Sequence, residues 1–126
     1  MITEDYVSFE TAKLLKEKRF NEYCPESYFK MDKTLKKSGF SEWEKVNEIK
    51  APTQSLAMKW LREVCKLSVV LKYDEVEDEK EHLYYVWFFY ILSMNPYTTI
   101  LEPVQGYSTY EEACEAGIKY CLEHLI

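Results

Sequence analysis

Leu83–Met94 reads LYYVWFFYILSM, and eleven of its twelve residues are apolar or aromatic. A run so rich in aromatic and β-branched side chains predicts a strand, and one so uniformly apolar predicts that both strand faces are shielded from water. Alternation places Tyr84, Val86, Phe88, Tyr90 and Leu92 on one face and Tyr85, Trp87, Phe89 and Ile91 on the other. The run is shorter than the roughly 20 residues of a membrane helix, so no membrane span is expected.

The flanks extend this into a sheet. Upstream, LSVVLKY reads as a strand with Leu67, Val69, Leu71 and Tyr73 on one face and Ser68, Val70 and Lys72 on the other. Between the two strands lies DEVEDEKE, Asp74–Glu81, with six acidic residues in eight; crowded like charges predict a solvated connection. Two strands joined this way pair antiparallel without a helical crossover. Downstream, Asn95–Pro96 stops the apolar strand, and YTTILE reads as an edge strand ended by Pro103 and Gly106.

Helices are expected on either side. Ser8 can cap a helix through FETAKLLKEKR, with Phe9, Ala12 and Leu15 inward and Phe20 locking its end to the core. In APTQSLAMKWLREVC, Thr53 can cap, and Leu56, Trp60 and Val64, supplemented by Ala57 and Leu61, form a stripe for a sheet. In STYEEACEAGIKYCLEHLI, Ser108 or Thr109 can cap; the apolar side takes Tyr110, Cys114 or Ala113, Gly117 or Ile118, Cys121 and Leu125. Gly117 would let the helix backbone approach another element. Residues 21–50 are weakly patterned: YFKM and the region around Trp43 suggest a short irregular hairpin with a turn near Gly39, and a helix through Met31–Lys37 is the alternative. The expectation is one α+β domain, residues 1–126, with a small antiparallel sheet of three to five strands packed against two or three helices.

Composition narrows the function classes. A chain of 126 residues with 47% hydrophobic and 16% aromatic content is no disordered tail. Its net charge of −6, from 22 acidic and 16 basic residues, supplies no broad positive field, so nucleic acid is an unlikely partner. Lys13, Lys16, Lys18 and Arg19 read as the solvated side of an amphipathic helix. Met1 is followed by acidic and polar residues rather than a basic-then-apolar leader, so a cytoplasmic location without a membrane anchor is expected. Cys24, Cys65, Cys114 and Cys121 lie singly, without a CxxC pair, and are expected to be buried free thiols.

No residue pattern names a reaction. Asp74–Glu81 lacks the ligand spacing and glycine bend of a calcium loop, and a zinc site would need distant cysteines joined to His82 or His124. Glu111 and Glu112 fit the positive end of a helix better than an acid and base pair. His82 and His124 are candidate proton carriers by residue type, but no nucleophile or orienting carboxylate is fixed beside either by sequence. Cys114, near a helix start, has a route to a lowered thiol pKa, opposed by its place on the apolar stripe. Phosphate loops, dinucleotide fingerprints, GxSxG elbows and zinc knuckles are missing from the sequence. No catalytic, cofactor-binding or metal residue is therefore assigned, and no cofactor is expected.

The aromatic excess is the remaining feature. Tyr85, Trp87 and Phe89 either complete the monomer core or bury an apolar surface against a homodimer mate or another protein. The opening VSFETAKLLKEKRFNEYC, then APTQSLAMKWLREV, LSVVLKY and YSTYEEACEAGIKYCLEHLI, together resemble a group of short uncharacterised proteins of Bacteroides-type gut bacteria and their phages or integrated elements. That resemblance implies cytoplasmic, mobile-element-associated biology and carries no catalytic residue. The expected function is a non-enzymatic protein-interaction or self-association domain; the alternative is a small enzyme whose site is assembled from distant residues near His82 or His124.

Overall fold

The computed structural model describes residues 2–94, 96–103 and 105–126. Helix α1, Phe9–Glu17, starts where Ser8 accepts the Thr11 amide through its hydroxyl. It ends in a Schellman turn: Arg19 takes φ 69°, its amide donates to Lys16 and the Phe20 amide to Leu15. The turn drives Phe20 into the core, edge-on to Trp60 at 5.5 Å. The chain then forms β1, Glu26–Phe29, which pairs antiparallel with β2, Leu35–Lys37, on one side and β3, Glu48–Lys50, on the other. Between them, α2, Glu42–Val46, is held by a Ser41–Glu44 capping box.

This region differs from the sequence expectation in its pairing. β1 meets Leu35–Lys37 and Glu48–Lys50, while Trp43 sits on a helical turn and Leu35–Lys37 is strand rather than helix. Asp32 decides the local conformation: its carboxylate accepts the amide and hydroxyl of Thr34, closing a turn where a helix would have continued.

Helix α3, Gln54–Glu63, is capped by Thr53 and buries Gln54, Ala57, Met58, Trp60 and Leu61. The expected stripe is rotated: Val64 is exposed, and Met58 and Gln54 take the inward positions. Gln54 is kept there by an amide donation from its side chain to the Glu111 carbonyl. After a turn through Lys66, at φ 58°, β4 runs from Leu67 to Glu77, β5 from Leu83 to Met94 and β6 from Tyr97 to Leu101, in a second antiparallel sheet of order β4-β5-β6. The acidic segment is therefore largely strand. Asp74–Glu77 pair with Leu83–Val86, and the connection shrinks to residues 78–82, where the Asp78 carboxylate accepts the amides of Lys80 and His82. Asn95, half of the expected strand stop, lies outside the described residues.

Helix α4, Tyr110–His124, is capped by Thr109 and lies across β4 and β5, touching α1 and α3. It buries Ala113, Cys114, Gly117, Ile118, Cys121 and Leu122, whereas Tyr110 is exposed and Leu125 half-buried. Gly117 permits the contact: a Cβ there would stand 2.5 Å from Val69 Cγ1 and 3.3 Å from the Phe89 ring. Glu115 ties the two ends of the chain together, its Oε1 accepting the Ser8 amide at 2.9 Å and the buried Thr11 hydroxyl at 2.6 Å. The result is an α+β fold of two three-stranded antiparallel sheets and four helices. Among the described residues, no helix is long and apolar enough to cross a membrane.

Candidate functional site

The pairing register divides the side chains of the second sheet. Val69 stands opposite Ile91, Leu71 opposite Phe89 and Tyr73 opposite Trp87; Val69, Ile91 and Phe89 are buried under α4. The intervening residues must point the other way: Val70 opposite Tyr90, Lys72 opposite Phe88, Asp74 opposite Val86 and Val76 opposite Tyr84. None of these belongs to the buried core cluster or to the apolar side chains packed against it. Helices cover one side of the sheet only.

That open face is apolar along its length. Tyr84, Val86, Phe88, Tyr90, Leu92 and Met94 line it on β5, joined by Val70 and Val76 on β4. Gly106 comes against Val86 and Phe88 at the β6 side, where Tyr107 and Trp87 exchange backbone hydrogen bonds of 2.7 and 2.8 Å. The charged members, Lys72 and Asp74, pair with each other at 3.2 Å and leave the face electrically neutral. This hydrogen bond from Lys72, with one from the Glu75 amide, holds the Asp74 carboxyl below its usual range.

The strand Leu83–Met94 is thus extended as expected, and α4 with the core covers one of its two faces. The hairpin of β4 and β5 outruns α4, so Tyr73 and Tyr85 stay exposed and stack on each other at 5.5 Å. Of the three aromatic residues singled out from sequence, Phe89 is buried beside Tyr107 and Tyr120, and Trp87 is half-buried between Tyr73 and Tyr110. Tyr85 is the exposed one of the three, and the charge of Glu75 raises its phenol pKa. All three lie on the helix side, one residue out of phase with the open face. The β4 pattern held the signal: Leu67, Val69 and Leu71 form the more apolar set, and the register aligns them with Phe89 and Ile91.

The other sequence candidates remain apart. His82 is at the hairpin tip, its Nδ1 3.4 Å from Asp78 Oδ2, and His124 packs against Tyr120 at 4.7 Å between ring centroids. Neither histidine lines the two cavities beside Lys50 or the one between Tyr6 and Glu115. Glu112 donates its amide to the Thr109 cap. Lys18 donates to the Ile126 carbonyl at 2.6 Å. Among the described residues, no group of three or more His, Cys, Asp or Glu could hold a metal ion.

All four cysteines are free; Cys24, Cys114 and Cys121 are buried and Cys65 half-buried. The route to a reactive Cys114 is closed, because burial raises its pKa from 9.0 to about 11, and burial raises Cys121 to about 12. A thiol protonated in the fold but ionising at 9.0 when unfolded gives stability that is complete below pH 9 and lost as pH climbs toward 11 or 12. Each thiol should account for roughly 1 kcal/mol of lost stability by about pH 10. Urea unfolding at about pH 8 and about pH 10 should show a smaller pH-dependent loss in Cys121→Ala than in the native protein; an unchanged difference would contradict the assignment.

Comparison of the chain with protein families, with curated proteins and with solved structures finds no match.

Proposed function

We propose that this protein is a non-enzymatic self-association domain whose open β4-β5-β6 face packs on the same face of a second copy. What carries the reading is the row Tyr84, Val86, Phe88, Tyr90 and Leu92, exposed at Tyr84, half-buried along the rest and outside the core cluster, on a sheet whose opposite side is packed into the core. The water-facing part of an apolar strip of this kind costs free energy that further burial would recover. Self-pairing suits it because the Lys72–Asp74 pair leaves the face neutral: a two-fold axis would bring aromatic rows together and set those pairs, on the edge strand β4, at the margins. Other partners would have to approach a half-chain, residues 67–126, with eleven acidic and three basic side chains.

Strand rise and spacing give the face a footprint of roughly 400 Å² per protomer. That falls in the class of small, reversible interfaces, so the dimer should dissociate on dilution in the micromolar range. Sedimentation across about 5 to about 500 µM should show the mean mass rising toward twice the monomer value. Tyr90→Lys should hold the protein monomeric throughout and leave its melting temperature nearly unchanged, since the lysine stem can lie along the strand with its charge in water. A native protein that stays monomeric over that range sinks the proposal. The cytoplasmic, mobile-element setting implied by the sequence resemblance belongs with this proposal and is compatible with a reversible dimer.

A further inference from the structure

The first half of the chain carries charge of the other kind. Residues 1–66 hold thirteen of the sixteen basic side chains against eleven acidic ones. Four of these lysines converge where α1 crosses β3. Lys16, Lys45 and Lys50 line a cavity of about 170 Å³ together with Asn21 and Glu48. Lys30 follows the end of β1, and partial desolvation, then the charge of Lys30, lowers the Lys16 pKa. None of the four has a carboxylate within ion-pair distance among the described residues. Lys50 satisfies two donors with neutral acceptors, Asn21 Oδ1 at 3.1 Å and the Glu22 carbonyl at 3.0 Å. Glu48 is the opposing charge in the lining, its two oxygens sharing the Gly39 N–H at 3.2 and 3.1 Å, and the Glu44 carboxylate also stands beside Gly39. Four ammonium groups against these two carboxylates leave a concave site with a surplus of positive charge.

A second cavity adjoins it. It measures about 430 Å³, shares Lys45, Glu48 and Lys50 with the first, and is mostly apolar. Tyr23 and Phe40 form its wall and are 81% and 91% exposed, so their ring faces are free to take a planar group. The volume lies within the range of small-molecule sites. Phosphate is matched by clustered ammonium donors and a base by an exposed ring face.

From this juxtaposition we infer a binding site for a nucleoside phosphate, its phosphate among Lys16, Lys30, Lys45 and Lys50 and its base against Tyr23 or Phe40. The charge of Lys30 acting on Lys16 is unfavourable in the free protein, and an anion bound in the cavity would offset it. The site shares no residue with the open sheet face and stands or falls without it. The acidic surplus elsewhere in the chain disfavours long nucleic acid; a free nucleotide and a short single strand present the same chemistry and are separated by the test.

Amide chemical shifts of the full chain, titrated with AMP, inorganic phosphate, adenosine or an oligothymidine, provide that test. AMP should move the amides of Asn21, Gly39 and Lys50 and bind at least tenfold more tightly than adenosine. Lys16→Gln combined with Lys50→Gln should weaken AMP at least tenfold. Phe40→Ala should weaken AMP about fivefold or more and leave phosphate unaffected. Lys16→Gln alone should leave the melting temperature of the free protein equal or higher, which separates a ligand-binding lysine from a structural one. Oligothymidine acting at the same amides with the same variant dependence would support the site and identify the strand as the source. Amides that do not move in about 5 mM AMP, or undiminished AMP binding by the double variant, would overturn the inference.

Discussion

Phe89→Ala is expected to destabilise the monomer by about 3–5 kcal/mol, the cost of deleting a large aromatic side chain from a packed core. Phe89 is 7% exposed, lies against Tyr107 and Tyr120, and forms one wall of the contact with Gly117. Its loss would open a cavity between α4 and the sheet that the paired strands cannot collapse to fill. The readout is urea unfolding at protein concentrations low enough to keep the chain monomeric. The contrast is with Tyr90, its next neighbour on the strand, which faces away from α4; Tyr90→Lys should change stability by about 1 kcal/mol or less. Equal losses at the two positions would mean that the open face is covered in the monomer.

The second large effect is at Gly117. In an exposed helix, alanine is favoured over glycine by about 1 kcal/mol. Here the sign should reverse, with Gly117→Ala destabilising by about 1–3 kcal/mol, because the added methyl would stand 2.5 Å from Val69 Cγ1. Val69 is β-branched, buried and fixed by its pairing with Ile91, so it cannot swing aside as a flexible chain end would. A double-mutant cycle with Val69→Ala should recover part of the loss, with a coupling of about 0.5 kcal/mol or more. Stabilisation by Gly117→Ala, or strict additivity with Val69→Ala, would show that α4 does not approach the sheet this closely.

Both predictions concern features that were partly legible in the residue order. Ser8 and Thr53 could be read as caps, Gly117 as a point of close approach, and Leu67 and Leu83–Met94 as strand, because each follows from local chemistry or short-period alternation. The helix stripes were less secure. On α3, Met58 and the C-cap Val64 lie on opposite flanks of the stripe around Leu61, and neighbouring elements decide which flank is buried. Residues 25–50 were the least legible, since strands of three or four residues carry too little alternation to announce a partner. The acidic hairpin was misread for a different reason: repulsion among Asp74–Glu77 is weak in water, and ladder hydrogen bonds to Leu83–Val86 override it.

The candidate sites show the same division. From sequence, the aromatic strand yields two alternating rows, and choosing Tyr85, Trp87 and Phe89 over Tyr84, Val86 and Phe88 needs the side on which α4 lands. The lysine cluster is less visible still: Lys16, Lys30, Lys45 and Lys50 come from one helix, one strand end, one helical turn and another strand. No window along the chain contains them.

The residue order alone determined that an α+β domain forms, where its caps fall, and that its centre is an extended aromatic strand, because these depend on interactions a few residues in range. Which face of that strand is core, and which charges meet in space, was decided only by the tertiary structure. Helix docking and strand register bring together atoms that are distant in sequence, and a shift of one residue exchanges the two faces.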